Sequence, residues 1–203
     1  MNKSTKIHLF SLLLQLSMRI INGKFKGRRF SPPTNITARP TTDFAKESLF
    51  NVITNNYFDL QGITALDLFS GTGSISFEFV SRGCSNVTAI EMSEKHLAFI
   101  KKTASELKIT NLRTSRIDVF RFLKGCSQKY DIIFADPPYQ LDSLKTLPDL
   151  VFELSLLTEG GLFVLEHGSS NSFSNHPHFV EHRSYGNVHF SFFIKKSQNL
   201  QLS

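Results

Sequence analysis

Residues 63–83 constrain the fold of this chain more than any other stretch. An apolar run at 63–69 ends in Ser70-Gly71-Thr72-Gly73 and passes straight into 74–81, a helical segment stopped at Gly83. The same alternation then repeats. A second strand is expected at 86–91, followed by a helix capped by Ser93 and running to about 108. That helix carries Leu97, Ile100, Ala104 and Leu107 on one stripe. A third strand at 111–117 leads to a short helix at 119–123, and a fourth strand at 130–135 follows. Residues 144–157 read as a helix closed by Gly160-Gly161, and 162–166 as a fifth strand. Two last strands, 179–185 and 188–196, are joined at Gly186-Asn187. They are too close for a crossover helix, so they pair as a hairpin. Repeated strand–helix units require a mostly parallel sheet with helices on both faces. The expectation is an α/β, doubly wound, Rossmann-like sheet over 43–196 that ends in an antiparallel hairpin.

The chain before this domain differs in character. Thr42-Asp43 caps a helix expected over 43–56, with Leu49, Val52 and Ile53 at helical spacing. Asn22-Gly23, between Arg19-Ile20-Ile21 and Lys24-Phe25-Lys26, signals a β-hairpin. Lys24, Lys26 and Arg28 would then alternate along one strand face. Ser31-Pro32-Pro33-Thr34 acts as a linker, so 18–42 reads as a basic hairpin arm plus linker. The protein's net charge is +6, and residues 18–46 hold that whole excess in seven basic side chains against Asp43 alone. Such a segment on a near-neutral domain is the footprint of a polyanion. Lys24, Lys26, Arg28, Arg29, Arg39 and Thr41 are the candidate RNA contacts. Residues 1–17 form a poor signal peptide, because polar residues interrupt the apolar stretch and no small-x-small site follows. Met18 opens a cleaner sequence, so 1–17 is expected to be an upstream extension, with 197–203 a tail.

Several classes are disfavoured. Cys84 and Cys126 lack ligand spacing and read as reduced thiols of a cytosolic protein. No apolar run reaches the roughly 18 residues of a membrane span. His176-x-His178-x₃-His182 matches no standard zinc spacing, and no metal is expected. No Gly-x-Ser-x-Gly motif supports a serine hydrolase.

Three ligands compete for the loop Asp67-Leu68-Phe69-Ser70-Gly71-Thr72-Gly73. A phosphate-binding P-loop needs Gly-Lys-Ser/Thr, which is absent. A dinucleotide fingerprint needs a third glycine where Ser76 stands. S-adenosylmethionine needs a tight turn and a neutral or acidic rim, and suits this loop best. Glu91 ends the second strand, where an acid typically takes ribose hydroxyls. Met92 would cover one adenine face, and Asp118, followed by Val119, would accept from the adenine amine. The candidate cofactor contacts are therefore Asp67, Phe69, Ser70, Gly71, Gly73, Glu91, Met92, Asp118 and Val119. Asp136-Pro137-Pro138-Tyr139 ends the fourth strand. A planar amine is a poor nucleophile because its lone pair is delocalised. Acceptors at its N–H bonds, here the Asp136 carboxylate and the Pro137 carbonyl, pull it toward sp³ and aim the lone pair. The two proline rings fix φ and hold that carbonyl rigidly, and Tyr139 offers a stacking face. Adenine, guanine and glutamine amides all remain open at this point.

The chain resembles the RsmD family, the bacterial 16S rRNA (guanine-N2)-methyltransferases. The resemblance rests on Arg19-Ile20-Ile21-Asn22-Gly23-x₃-Gly27-Arg28, Arg39-Pro40-Thr41-Thr42-Asp43, Glu47-Ser48-Leu49-Phe50-Asn51, the two loops above and the ending Tyr185-Gly186-x-Val188. It implies a class I methyltransferase in the cytoplasm that uses S-adenosyl-L-methionine. The implied target is the exocyclic N2 of one guanine in the helix-31 loop of 16S rRNA, near the P site. The implied partner is the small ribosomal subunit or its assembly intermediate, met by a monomer. By the family pattern Asp136, Pro137 and Tyr139 handle the base, Gly71, Gly73, Glu91 and Asp118 hold the cofactor, and Arg39-Pro40-Thr41 lines the mouth. The family usually shows an arginine in the helix after that segment; here Lys46 precedes Glu47. The rival readings are a DNA adenine-N6 methyltransferase, a protein glutamine methyltransferase and a non-catalytic RNA-binding assembly factor.

Overall fold

The computed structural model describes residues 17–32 and 42–195. Arg39 and Thr41 of the expected RNA contacts lie outside the described residues, as do 1–16 of the expected extension and the tail. After a two-stranded ribbon, β1 (Met18–Arg19) and β2 (Arg29–Phe30), the chain enters helix α1 (Asp43–Asn56). The Thr42 hydroxyl accepts the Ala45 N–H at 3.2 Å and caps that helix as expected. Alternation follows through β3 (Thr64–Leu68), α2 (Ser74–Ser81), β4 (Asn86–Ile90), α3 (Glu94–Glu106), β5 (Leu112–Ser115), α4 (Val119–Gly125) and β6 (Tyr130–Ala135). A 3₁₀ turn (Asp142–Thr146) and α5 (Leu147–Glu153) lead to β7 (Leu157–His167), β8 (Phe179–Tyr185) and β9 (Val188–Ile194).

The main sheet has the order β5-β4-β3-β6-β7-β9-β8. Its first five strands are parallel, and β7–β9 and β9–β8 pair antiparallel. This is the doubly wound sheet with a terminal hairpin. The order in which the chain adds strands reverses at β3, with β4 on one side and β6 on the other, so the loops after β3 and β6 are neighbours at the carboxyl edge, where such sheets bind ligands. On one face Leu49, Phe50 and Ile53 of α1 pack with Phe79 of α2 and with Phe134, Phe190 and Phe192 of the sheet. On the other, Val119, Leu123, Leu147 and Val151 cover Ile133, Phe163 and Leu165. Much of the phenylalanine content is thus core.

Two expectations need correction. The helix expected over 144–157 is confined to Leu147–Glu153: Pro148 sits in its first turn, 144–146 belong to the 3₁₀ turn, and Ser155, at φ +52°, ends it. Gly160-Gly161 lies inside β7 instead of closing a helix. Gly160 N–H donates to Lys195 O and Lys195 N–H to Gly161 O, both at 3.0 Å, so this stretch follows the last strand. The second correction concerns the arm. Asn22-Gly23 is not a two-residue hairpin turn, and Lys24, Lys26 and Arg28 do not alternate along a strand. The strands pair at Met18–Phe30 and Arg19–Arg29, bonds from Ile20 N–H to Arg28 O at 3.0 Å and from Gly27 N–H to Ile20 O at 2.9 Å close the ribbon, and 22–27 form a turn.

The reason for that turn lies 57 residues away. The buried Glu78 carboxylate accepts the Ile21 N–H at 2.8 Å and the Asn22 N–H at 3.0 Å. Lys24 N–H donates to Ser81 O at 2.7 Å and Phe25 N–H to Ser81 Oγ at 2.9 Å. Gly23, at φ +82°, lies so close to helix α2 that a Cβ there would overlap the Ser81 carbonyl. The arm is therefore strapped to the end of α2. Met18 and Ile20 join Phe77, Leu97 and Ile100 in a third apolar cluster.

Candidate active site

The glycine loop takes its shape from three positive-φ residues, Phe69 (+60°), Gly71 (+54°) and Gly73 (+81°). Phe69 is a bulky side chain in the left-handed region, a strain that persists where a site over-determines it. Ser70 N–H reaches back to Ile90 O at 2.9 Å, and Gly73 N–H to Ser70 O at 2.7 Å. Gly73 caps α2 without a side chain. A Cβ there would come within 2.9 Å of Ile100 Cγ1, so the glycine is needed for helix packing as well as for the turn.

Glu91 closes this loop from β4. Its Oε2 accepts the Gly71 N–H at 2.8 Å, and Oε1 accepts the Ser93 N–H at 2.7 Å. Asp118 caps α4, with Oδ1 accepting the Arg121 N–H at 3.0 Å. Beside them Met92 is exposed, Val119 is buried, and Phe69 packs edge-on against Phe120. The nine expected cofactor residues thus gather at the carboxyl ends of β3, β4 and β5, Asp67 within β3, Val119 at the start of α4 and the rest on the loops between.

Asp67 is fully buried in β3 and accepts a short hydrogen bond from Ser76 Oγ. Ser76 occupies the place of the missing third glycine and serves to fix that carboxyl. Burial pushes the Asp67 carboxyl up to about 7, and the neighbouring Asp136 and Glu91 carboxylates add to it, against the Ser76 bond. Asp136 extends β6, its N–H pointing to Leu68 O at 3.4 Å. Burial lifts its carboxyl to about 7 as well. Pro137 is buried, and Pro138 O accepts the Leu141 N–H at 2.8 Å, which closes the turn. Tyr139 is 44% exposed and donates its hydroxyl to Glu166 Oε1 at 3.2 Å. The structure brings Asp136, Pro137 and Tyr139 together at one mouth beside the glycine loop.

Two residues here were missed by sequence reasoning. Glu166 is a buried acid near the end of an otherwise apolar strand, and that oddity was the available signal. Lys46 was counted with the solvated basic cluster, yet it is buried. Its Nζ donates to Arg19 O at 2.6 Å and to Ser74 Oγ at 3.0 Å, which ties α1 and the arm to the start of α2. Burial lowers its pKa, opposed by Glu78 and Asp43. Of the other arm residues, Lys24, Lys26, Arg28 and Arg29 are exposed, while Arg19 pairs with Asp43 at 2.8 Å.

The donor set suits one kind of ligand. The rim offers backbone N–H groups at a helix start, Glu91 for hydroxyl groups, Asp118 for an amine, and the Asp67–Asp136 acid pair that a cation would relieve. The glycine loop has no lysine or arginine for a phosphate, and Arg116, after β5, is bonded to Met92 O and Glu94. That fits a nucleoside carrying a positive sulfonium.

Comparison with known proteins places this geometry. The ribosomal RNA small subunit methyltransferase D of Buchnera aphidicola is 37% identical over 150 residues, covering 74% of this chain and 76% of that protein. Its counterpart in Escherichia coli is 31% identical over 160 residues, 79% of each chain. A solved structure described as a putative methyltransferase from Escherichia coli superposes with a TM-score of 0.76 at 26% identity, covering 90% of this chain and 99% of that one. A family model described as conserved hypothetical protein 95 matches residues 18–194. With this coverage, and with the loops in these positions, the chain belongs to the conserved hypothetical protein 95 family, the family of the ribosomal RNA small subunit methyltransferase D proteins.

Proposed function

We propose that this protein methylates 16S rRNA of the small ribosomal subunit at the exocyclic N2 of one guanine, in the helix-31 loop near the P site. The observation that carries the reading is the acceptor mouth: Asp136 beside buried Asp67 at the joined ends of β3 and β6, with the ring of Tyr139 half-open to solvent. The RNA substrate is supported by the names of the two relatives at 37% and 31% identity. The choice of guanine N2 and of helix 31 rests on the family resemblance.

S-adenosylmethionine supplies an electrophilic methyl group on a sulfonium. Gly71 and Gly73 let the backbone approach it closely, Glu91 takes the ribose hydroxyls, and Met92, Asp118 and Val119 border the adenine. The Asp136 carboxylate and the Pro137 carbonyl accept the two N–H bonds of the target amine and turn its lone pair toward the methyl. Tyr139 stacks on the base, with its hydroxyl held by Glu166. Transfer would then be an in-line displacement driven by positioning: the C–N bond forms as the C–S bond breaks, and the neutral thioether leaves. The amine turns strongly acidic only once methylated, so no strong base is needed, and its proton would pass to the Asp136 carboxylate. Exposed Lys24, Lys26, Arg28 and Arg29, together with Arg39 and Thr41, contact the RNA. Among the described residues no helix is long and apolar enough to cross a membrane. The enzyme acts as a cytoplasmic monomer.

The test is mass spectrometry of small-subunit rRNA from a deletion strain, with the purified protein added back to deficient subunits. One guanine should lose and then regain an N2-methyl group. Labelled methyl appearing in DNA but not in subunits would refute the reading.

A further inference from the structure

The terminal hairpin carries a second polar feature that the reaction above does not use. His167 at the end of β7, His182 in β8 and His189 in β9 converge on one face of the sheet. The His182 and His189 rings stack with centroids 5.2 Å apart, and His167 lies 5.8 and 5.9 Å from them. His182 Nε2 and His189 Nδ1 share a hydrogen bond at 3.0 Å, and His167 Nε2 pairs with Ser191 Oγ at 2.8 Å. Beside the stack lies a cavity of about 350 Å³. His182, His189 and Ser191 wall it from the strands, and Asn171, Ser172 and Phe173 from the loop after β7. That volume falls within the range of ligand pockets.

The lining decides what chemistry enters. It contains no lysine, arginine, aspartate or glutamate. Burial lowers the pKa of His167 and His182, and the neighbouring imidazoles lower it further, so these two rings carry little charge near neutral pH. A phosphate would lack a fixed cation here. Hydroxyls, an amide and imidazole faces, closed by phenylalanine, suit an uncharged planar heterocycle. The position decides which one. The loop starts at Gly168, where a Cβ would come within 3.3 Å of the Tyr139 ring, and the next residue, Ser169, lines the pocket. Glu166, bonded to Tyr139, and His167, in the histidine stack, are successive in β7, so mouth and pocket lie on the two faces of one strand end. RNA loops are read by splaying unpaired bases onto aromatic side chains, histidine included.

We propose that this pocket takes an unpaired nucleobase of the substrate RNA, adjacent in the strand to the methylated nucleotide. The base stacks on the imidazoles and is hydrogen-bonded by Asn171 and Ser172. The inference rests on the RNA substrate proposed above. Subunits from a strain lacking the protein serve as substrate for the wild type, His182→Ala and Ser172→Trp. The first variant removes stacking surface; the second fills the cavity from an exposed loop position and keeps the histidines. Each should raise KM for subunits roughly tenfold, the scale of one lost base stack, with kcat and cofactor affinity within about twofold. A photoreactive benzoylphenylalanine at position 172 should crosslink to a nucleotide flanking the methylated one. An unchanged KM for Ser172→Trp, or crosslinks confined to ribosomal protein or distant rRNA, overturns the pocket assignment while wild-type methylation stands. A wild type that methylates no subunit overturns the function, and the pocket's role with it.

Discussion

The two ends of helix α2 do different work. At its start, Gly73, Ser74 and Ser76 belong to the site: the loop curls there, Ser76 holds Asp67, and Lys46 braces Ser74. At its end, Glu78 and Ser81 belong to the architecture, holding the backbone of Ile21, Asn22, Lys24 and Phe25. The outermost of these residues, Gly73 and Ser81, are eight positions apart, about 12 Å along the axis. The site end gathers carboxyls whose ionised form burial disfavours. The anchoring end contains a buried acid that holds two backbone N–H groups and the Arg82 guanidinium, the last at 2.8 Å. Buried acids can therefore serve different purposes at the two ends of one helix, and the surroundings decide which.

The largest effect should come from Asp136→Ala. Loss of the amine acceptor should lower kcat by about a hundredfold or more, while the dissociation constant of S-adenosylmethionine changes little. Stability should hold or rise, since a carboxyl lifted to about 7 by burial is a liability once ionised. Filter binding, methyl incorporation and urea unfolding on one preparation would settle it. Unchanged turnover would remove Asp136 from the chemistry.

Glu78→Ala tests the other end and should give the reverse pattern. It strands the Ile21 and Asn22 N–H groups and leaves Arg82, stacked over Phe50, without its carboxylate. Breaking a buried pair of this kind costs about 3–5 kcal/mol. Urea midpoints should fall accordingly, while kcat of the folded fraction stays near the wild-type value. A kcat collapse at full stability would erase the distinction between the two ends.

The acids of the site end also set a pH dependence. Asp67 and Asp136 sit near 3.8 in an unfolded chain and near 7 in the fold. Below about pH 4 both states are protonated and nothing is lost. As pH rises from about 4 to about 7, the unfolded chain releases protons that the folded one retains, so stability falls; above that it levels off. Urea midpoints from pH 5 to 8 should trace this descent, and Asp67→Asn should flatten part of it. A midpoint that climbs over the same range would show that these carboxyls are not held protonated.

The same contrast explains what the sequence made legible. The rim was readable because each of its residues follows a strand, and strand ends are set by local pattern: 67–73, 91–92, 118–119 and 136–139 all fall where alternation placed them. The arm was not, because its shape depends on Glu78 and Ser81, far along the chain. Asn-Gly between apolar residues has a local preference for a tight turn, and a tertiary contact overrode it. Lys46 was misjudged for the same reason. Nothing near it in sequence announces that Arg19 O and Ser74 Oγ will surround its ammonium group. Glu166 escaped notice because its pairing with Tyr139 joins β7 to the turn after β6.

The smallest predicted effect divides the arm's charges by their position along α2. Arg29 pairs with Arg19 in the ribbon, next to Met18, whose sulfur accepts from the Thr72 hydroxyl in the glycine loop. Lys24 is bonded to Ser81 through its backbone at the opposite end of the helix, and Lys26 lies in the same turn. The two ends of α2 lie about 12 Å apart, more than a screening length of about 8 Å at physiological salt. An RNA strand entering the mouth should therefore meet Arg28 and Arg29 first, and Lys24 and Lys26 only if it continues down the helix. Replacing both arginines by serine should reduce the salt slope of subunit binding by about 1.4, the value for two released counterions on a single strand. Replacing both lysines should reduce it by less than half of that. Equal losses would show that the RNA runs the full length of α2, so that the anchoring end is also a binding surface. No change from either pair would mean that the charge excess of 18–46 serves the RNA through residues other than these four.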